Sequence, residues 1–204
     1  TLQKYMTSPQ AYFDSLLLGS RLTQTVRGFS RSELHLLAYA SCLLSLYGGK
    51  PVSDWEYEFS STPSGLPFSK NLDDALDYCI RIGDITDHGE LLQITSDGQT
   101  NLGIWKEHTI NQERLAYLNG AADCLLLFTP SVIREAFAYE PALAFIKRHA
   151  QTAWLFSDPI VDRLHDTFGE IRELLPYQGS DLSLPLSAWL EYLLTIGRTH
   201  EHSN

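Results

Sequence analysis

Apolar positions between residues 33 and 47 occur on almost every side of a predicted helix. The segment "ELHLLAYASCLLSLY" has charged or strongly polar residues only near its start, and Gly48-Gly49 follows it. A helix that is apolar all round lies in the centre of a domain, and glycine commonly ends a helix. We therefore predict a buried helix from Glu33 to Tyr47, with Ser32 as its cap.

The next apolar residues alternate with acidic ones, which is the period of a strand rather than of a helix. In "PVSDWEYEF" the aromatic and the acidic side chains take turns: Trp55, Tyr57 and Phe59 against Asp54, Glu56 and Glu58. This pattern predicts a strand with one aromatic face and one acidic face. The following "SSTPSGLP" has the composition of a loop.

From Asn71 the apolar spacing returns to that of a helix. The residues that would share its buried face are Leu72, Ala75, Leu76, Cys79 and Ile80. Asn71 is a residue type that caps helices well, so we predict that the helix begins there and ends near residue 82.

Residues 82–95, "IGDITDHGELLQIT", contain two short apolar runs separated by a turn. Gly89 can adopt the positive φ that a tight hairpin turn requires. Thr95 or Ser96 can cap a further helix. The predicted order is buried helix, strand, helix, two-stranded hairpin and helix, which is the order of a winged helix.

The second half of the chain is predicted to be helical. Helical spacing of apolar residues covers residues 113–128, 131–140, 158–176 and 185–197. The fold class is therefore mainly α with a small β-wing: a winged helix-turn-helix followed by a helical C-terminal region. We divide it into an N-terminal helical arm (1–32), a winged-helix domain (33–108) and a C-terminal helical region (109–204).

Composition and charge limit the classes of function that the chain can have. The chain carries a net charge of −10, but residues 1–53 carry +3 and residues 54–204 carry −13. A whole-protein electrostatic footprint for nucleic acid is therefore absent. The three cysteines lack CxxC spacing, which is typical of reduced thiols in a cytoplasmic protein. No apolar run has the length of a membrane span.

No catalytic or metal-binding pattern stands out. Carboxylates recur along one helix at Asp158, Asp162, Asp166 and Glu170, but arginines lie among them, as on a solvated helix face. His35 lies on the apolar helix and is expected to be a core residue. The chain has neither a phosphate-binding loop nor a nucleophile elbow. We expect a protein that is not an enzyme and that needs no metal or cofactor.

The stretch "ALDYCIRIGDI" followed by "ITSDG" resembles the wing of winged-helix families. Within that fold, "WEYEFSSTPSGLPFSKNLDDALDYCIRIGDI" is similar to two groups. One is the middle subunit of bacterial three-component ABC or SMC-type defence systems (Lamassu-like), which is related to kleisin-interacting winged-helix (KITE) proteins. The other is the Panacea or SocA-like antitoxin group. The long helical tail fits the first group better, and "PSGLPFS" departs from the Tyr-Gly-Pro loop of the second.

The predicted helix 71–82 is poorly suited to DNA. A winged helix that reads DNA inserts this helix into the major groove, where Arg, Lys, Asn or Gln contact bases. Here the outward residues are mostly acidic: Asp73, Asp74, Asp77, Tyr78 and Arg81. We predict that Asp73, Asp77 and Tyr78 belong to a protein-binding surface. Any weak DNA contact would come from Arg21, Arg27 and Arg31.

The last predicted helix offers a second candidate surface. Trp189, Tyr192 and Leu193 fall within about one turn, and buried aromatic residues commonly anchor interfaces. The alternative is that this helix closes the core of the protein itself.

These observations and the resemblance imply a non-catalytic accessory subunit. Its expected partners are an SMC-like or ABC-type ATPase and a nuclease-like effector in a complex that defends bacteria against phages or plasmids. The alternatives are a winged-helix transcriptional regulator or antitoxin that binds DNA as a dimer, and a small enzyme with an unrecognised site.

Overall fold

Helices account for most of the computed structural model, which describes residues 8–149, 153–175 and 181–201. In this part the helices are α1 (Pro9–Val26), α2 (Arg31–Tyr47), α3 (Lys70–Ile82), α4 (Ser96–Lys106), α5 (Gln112–Asp123), α6 (Pro130–Ala138), α7 (Pro141–His149), α8 (Asp158–Leu174) and α9 (Ser183–Glu201). The strands are β1 (Ser60–Ser61), β2 (Pro67–Phe68), β3 (Ile85–Asp87) and β4 (Leu92–Ile94). A mainly α fold with a small β part is therefore confirmed.

Helix α2 lies in the core, as predicted: every residue from Leu34 to Tyr47 is buried. Its cap is Ser30 rather than Ser32. The Ser30 N–H donates to Glu33 Oε2 (2.7 Å), and the Glu33 N–H donates back to Ser30 Oγ (3.3 Å). This reciprocal pair requires a glutamate three residues after the cap, and only Ser30 has one.

Helix α3 begins earlier than the prediction, because Ser69 rather than Asn71 is its cap. Ser69 Oγ accepts from the Leu72 N–H, and Lys70 is the first helical residue. At the other end, Gly83 has a φ of 86° and ends the helix in the left-handed conformation. The predicted helix 113–128 is shorter in the structure: α5 stops at Asp123, and Cys124–Leu126 form a 3-10 turn. Pro176, the predicted end of α8, lies outside the described residues.

The predicted strand 51–59 is wrong, although its alternation is right. Trp55, Tyr57 and Phe59 are buried, and the acidic residues between them are exposed. The backbone instead forms a 3-10 turn (Val52–Trp55), followed by Glu56 at a φ of 69°. Strand pairing begins only at β1 and is two residues long. Trp55 and Tyr57 point into the core without belonging to a strand, whereas the Phe59 carbonyl accepts from the Leu155 N–H at 3.0 Å.

Helix α1 is a core element rather than an arm. It packs against α3, α4, α5 and β4. Its buried apolar residues, all fully inaccessible, include Ala11, Phe13, Leu16, Leu17, Leu18 and Leu22. The reason is that α1 fills the space between the hairpin and the helices that follow it. The further division of the chain into three regions stays a prediction, and a single apolar cluster joins residues from both halves.

The predicted hairpin forms from β3 and β4, which pair antiparallel with Ile85 opposite Ile94. Gly89 lies in the turn with a φ of 92°. Phe29, between α1 and α2, adds a third segment: its N–H donates to Leu92 O (2.9 Å), and the Leu92 N–H donates to Phe29 O (2.8 Å). Thr95 caps α4 by accepting from the Gly98 N–H at 3.1 Å.

The C-terminal helices enclose the other side of α2. Helix α5 packs along α2, and α9 packs against α5, α6 and α8. Among the described helices, none alone combines the length and the apolarity that crossing a membrane requires. Thr109–Leu126 and Pro130–Ala138 meet that test only as a pair, with a bend of 107° between them.

Candidate partner-binding surface

The exposed side of α3 carries carboxylates that are partly neutralised by α2. Arg31, at the start of α2, donates through Nη1 to Asp73 Oδ1 (2.8 Å) and through Nη2 to Asp77 Oδ1 (2.6 Å). Asp74 pairs with Lys70 one turn earlier in α3. Arg31 and Lys70, two of the cations at this surface, therefore already have carboxylate partners within the protein.

His35 supports Asp73 from inside the core. The ring is buried, and its Nδ1 accepts from the Ser69 N–H at 3.2 Å, which leaves the proton on Nε2 in the neutral ring. Nε2 lies 3.8 Å from Asp73 Oδ1, a separation longer than a hydrogen bond. His35 and then Arg31 favour the carboxylate and lower the pKa of Asp73 to about 2. His35 acts across that gap, whereas Arg31 makes the direct hydrogen bond.

Tyr78 is half-buried at the edge of this surface. Its ring meets the Tyr12 ring edge-on with centroids 5.8 Å apart, and the Arg81 guanidinium lies 5.2 Å from its centroid. The Tyr12 hydroxyl donates to the buried Asp84 Oδ2 at 2.5 Å. Burial, together with that carboxylate, raises the pKa of Tyr12. Asp77, with 57% of its side chain exposed, is the most accessible of the three predicted partner-binding residues on α3.

The three arginines proposed for weak DNA contact do not form one patch. Arg21 pairs with Asp123 at the end of α5, whereas Arg31 pairs with α3. Arg27 is exposed and ends α1 with a φ of 65°. Two of the three cations are thus engaged with carboxylates on different helices, so phosphate would have to compete with those partners.

The candidate residues of the last helix separate into core and surface. Trp189 is 2% exposed, and its ring packs edge-on against Phe137 and Phe168 at 5.4 and 5.7 Å between centroids. Leu193 is also buried, while Tyr192 is 53% exposed. Trp189 and Leu193 are therefore core residues rather than surface anchors. The reason is that α9 lies against three other helices, which use its apolar side.

A buried ion pair, not anticipated from the sequence, joins α1 to α5. Arg114 Nε and Nη2 donate to the two oxygens of Asp14 at 2.6 Å each, and Nη1 donates to Trp55 O at 3.0 Å. The Tyr57 hydroxyl donates to Asp14 Oδ2 at 2.6 Å, and the guanidinium lies 3.8 Å from the Trp55 ring centroid. Burial opposes the charge on Arg114, but Asp14 outweighs it, so the pKa of Arg114 is raised.

Every charged group of this pair is occupied by another protein group, so its role is structural rather than chemical. A sequence signal for it exists. Asp14 interrupts the apolar run "AYFDSLLL", and Arg114 opens an apolar helix. A charge on the buried face of a helix requires an opposite charge elsewhere in the fold.

The described residues offer no metal site of three or more His, Cys, Asp or Glu side chains. The three cysteines are buried. Burial raises the pKa of Cys79 to about 12 and that of Cys124 to about 11, so neither is an activated nucleophile.

Comparison of the chain with protein-family models, with curated proteins and with solved structures finds no match.

Proposed function

We propose that this chain is a winged-helix adaptor subunit that binds other proteins and does not read DNA. The order of α1, Phe29, α2, α3 and the β3–β4 hairpin supports the winged-helix part of the proposal. The pairing of Phe29 with Leu92 supports it further, because it places a third extended segment beside the wing.

The acidic surface of α3 is the observation that favours a protein partner over DNA. In a winged helix this is the helix that would enter the major groove and read bases with Arg, Lys, Asn or Gln. Its accessible positions include Asp74 and Asp77, and the nearby cations Lys70 and Arg31 are already paired with carboxylates. Such a surface repels phosphate but suits a basic patch on a protein. A DNA-binding regulator or antitoxin would need the opposite charge at these positions.

The nature of the partners is inferred from the resemblance of residues 55–85 to the middle subunits of Lamassu-like systems, which are similar to KITE proteins. We infer an SMC-like or ABC-type ATPase together with a nuclease-like effector, in a cytoplasmic defence complex against phages or plasmids. In this complex the ATPase senses DNA, the effector carries out the chemistry, and this chain joins them without a catalytic site or cofactor of its own.

The test combines DNA binding with complex formation. The purified chain should bind duplex DNA no more tightly than the non-specific range of about 10⁻⁴–10⁻⁶ M at physiological salt. Co-expressed with the products of its neighbouring genes, it should co-purify with a large ATPase. The double variant Asp74→Lys, Asp77→Lys should lose that association while keeping its circular dichroism spectrum.

The matched control reverses the charge of two exposed carboxylates on other helices, Glu135→Lys on α6 and Glu173→Lys on α8. This variant should retain the complex. A nanomolar sequence-specific DNA site in the wild-type chain would overturn the proposal, as would an α3 variant that co-purifies as well as the control.

A further inference from the structure

A second surface lies far along the chain from α3, in a groove bordered by α7, by residues 153–157 and by the start of α8. The end of α9 contributes Ile196 and Gly197 to it. The groove is open to solvent and has a volume of about 860 Å³. This volume lies within the range of known ligand sites.

The lining of this groove is mostly apolar. Small and aliphatic side chains contribute much of it, among them Ala142, Ile146, Ala153 and Ile160. Two large aromatic residues of the groove are accessible: Phe145 is 60% exposed and Trp154 is 61% exposed. Exposed aromatic side chains beside an apolar concavity are the usual anchors of a protein interface.

The charged residues of the groove are all cationic. Lys147, Arg148 and Arg163 line it, and its lining includes no aspartate or glutamate. Arg163 Nε donates to Pro159 O at 3.2 Å, which places that side chain along the first turn of α8. Arg163 also lines an adjoining cavity with Glu140, Asp166 and Glu170, so Lys147 and Arg148 are the main cations that this groove offers. In a chain with a net charge of −10, their presence in a lining without carboxylates favours an anionic occupant.

A neighbouring acidic cavity decides between a nucleic acid and a protein as that occupant. Trp154 also lines a second cavity, of about 500 Å³, together with Glu56 and Glu58. The sign of the surface charge therefore changes at Trp154. A nucleic acid strand that continued past Trp154 would bring its phosphates against Glu56 and Glu58. A protein segment can instead place acidic residues beside the cationic groove and neutral or basic residues beside the acidic cavity.

We propose that this groove binds an apolar, acidic segment of a partner protein. The apolar side chains of the segment would contact the aliphatic floor and Trp154, and its carboxylates would pair with Lys147 and Arg148. The inference rests on the proposed adaptor role and adds to it a second contact surface, separate from α3.

Fluorescence anisotropy of the purified full chain tests the groove without any natural partner. The probe is a fluorescein-labelled amphipathic peptide built from leucine and glutamate at helical spacing. Its counterpart has lysine in place of glutamate, and labelled oligo(dT) represents single-stranded nucleic acid. The glutamate peptide should bind, and the lysine peptide should bind at least about ten-fold more weakly.

Two sets of variants assign the binding to this groove. Lys147→Glu with Arg148→Glu should weaken peptide binding about ten-fold, since two attractions become repulsions. Trp154→Ala, which removes a mostly exposed side chain, should also weaken it. The matched control reverses the charge of two exposed cations outside the groove, Arg27→Glu and Arg134→Glu. This variant should change the affinity for the peptide by less than about two-fold.

Three results would overturn the proposal. The first is tighter binding of oligo(dT) than of the glutamate peptide, which would indicate a nucleic acid site. The second is self-association in sedimentation velocity that Trp154→Ala abolishes, which would indicate a second copy of the chain. The third is an absence of peptide binding. The α3 variant Asp74→Lys, Asp77→Lys should bind the peptide like the wild type, so failure of the groove and failure of the α3 surface are distinguishable.

Discussion

Replacing Arg114 with methionine removes the cation of the buried pair while keeping an unbranched side chain at the site. Three hydrogen bonds are lost, two to Asp14 and one to Trp55 O. Asp14 is fully inaccessible to solvent, and only the Tyr57 hydroxyl would still donate to its carboxylate. The variant thus leaves a buried, poorly compensated charge between α1 and α5.

The expected cost is about 3–5 kcal/mol, the range for breaking a buried ion pair by removing one partner. That is a large fraction of the roughly 5–15 kcal/mol that stabilises a typical domain. Asp14→Leu alone should cost a similar amount, because it leaves the guanidinium buried. The double variant should cost less than the sum of the two, because it leaves no unpaired charge.

Urea unfolding followed by circular dichroism and tryptophan fluorescence measures these free energies, provided that both signals change together. The control is Arg21→Met, which removes an ion pair whose side chains are about one-third exposed (32% and 38%). It should cost no more than about 1 kcal/mol. A loss below about 1 kcal/mol for Arg114→Met, or strictly additive losses in the double variant, would refute the assignment of this pair as the link between α1 and α5.

Two further predictions concern stability. Because the pKa of Asp73 is lowered from 3.8 to about 2, its contribution to stability is fully present above pH 3.8 and is lost as the pH falls through 2. In urea unfolding Asp73→Asn should therefore lower the free energy of unfolding by about 1–2 kcal/mol at pH 7 and by only a small part of that at pH 2. A difference that does not change with pH would argue against the ion pairing. Trp189→Ala should lower the free energy of unfolding by about 3–5 kcal/mol, because Trp189 is buried. Tyr192→Ala should lower it by less than about 0.5 kcal/mol, because Tyr192 is exposed. Equal losses in the two thermal melts would contradict the position assigned to α9.

Local patterns in the sequence are sufficient for the elements whose stability is itself local. The apolar run of α2, the helical period of α3 and the turn glycine of the hairpin each specify a conformation through neighbouring residues. The alternation around Trp55 and Tyr57 correctly gives the buried side of that segment. It does not give a strand, because a strand also requires a hydrogen-bonding partner, and nothing within the segment supplies one.

Contacts between distant positions are what only the tertiary structure decided. Asp14 and Arg114 are 100 positions apart, and Arg31 and Asp73 are 42 apart. The sequence alone does not show which charge each of these residues pairs with. Asp73 and Arg31 are therefore predicted to contact a protein partner and DNA respectively, whereas in the structure they bind each other. The groove around Trp154 depends likewise on how α7, α8 and α9 pack. Periodicity tells which side of an element is buried, whereas the neighbour that buries it is set by packing across the whole chain.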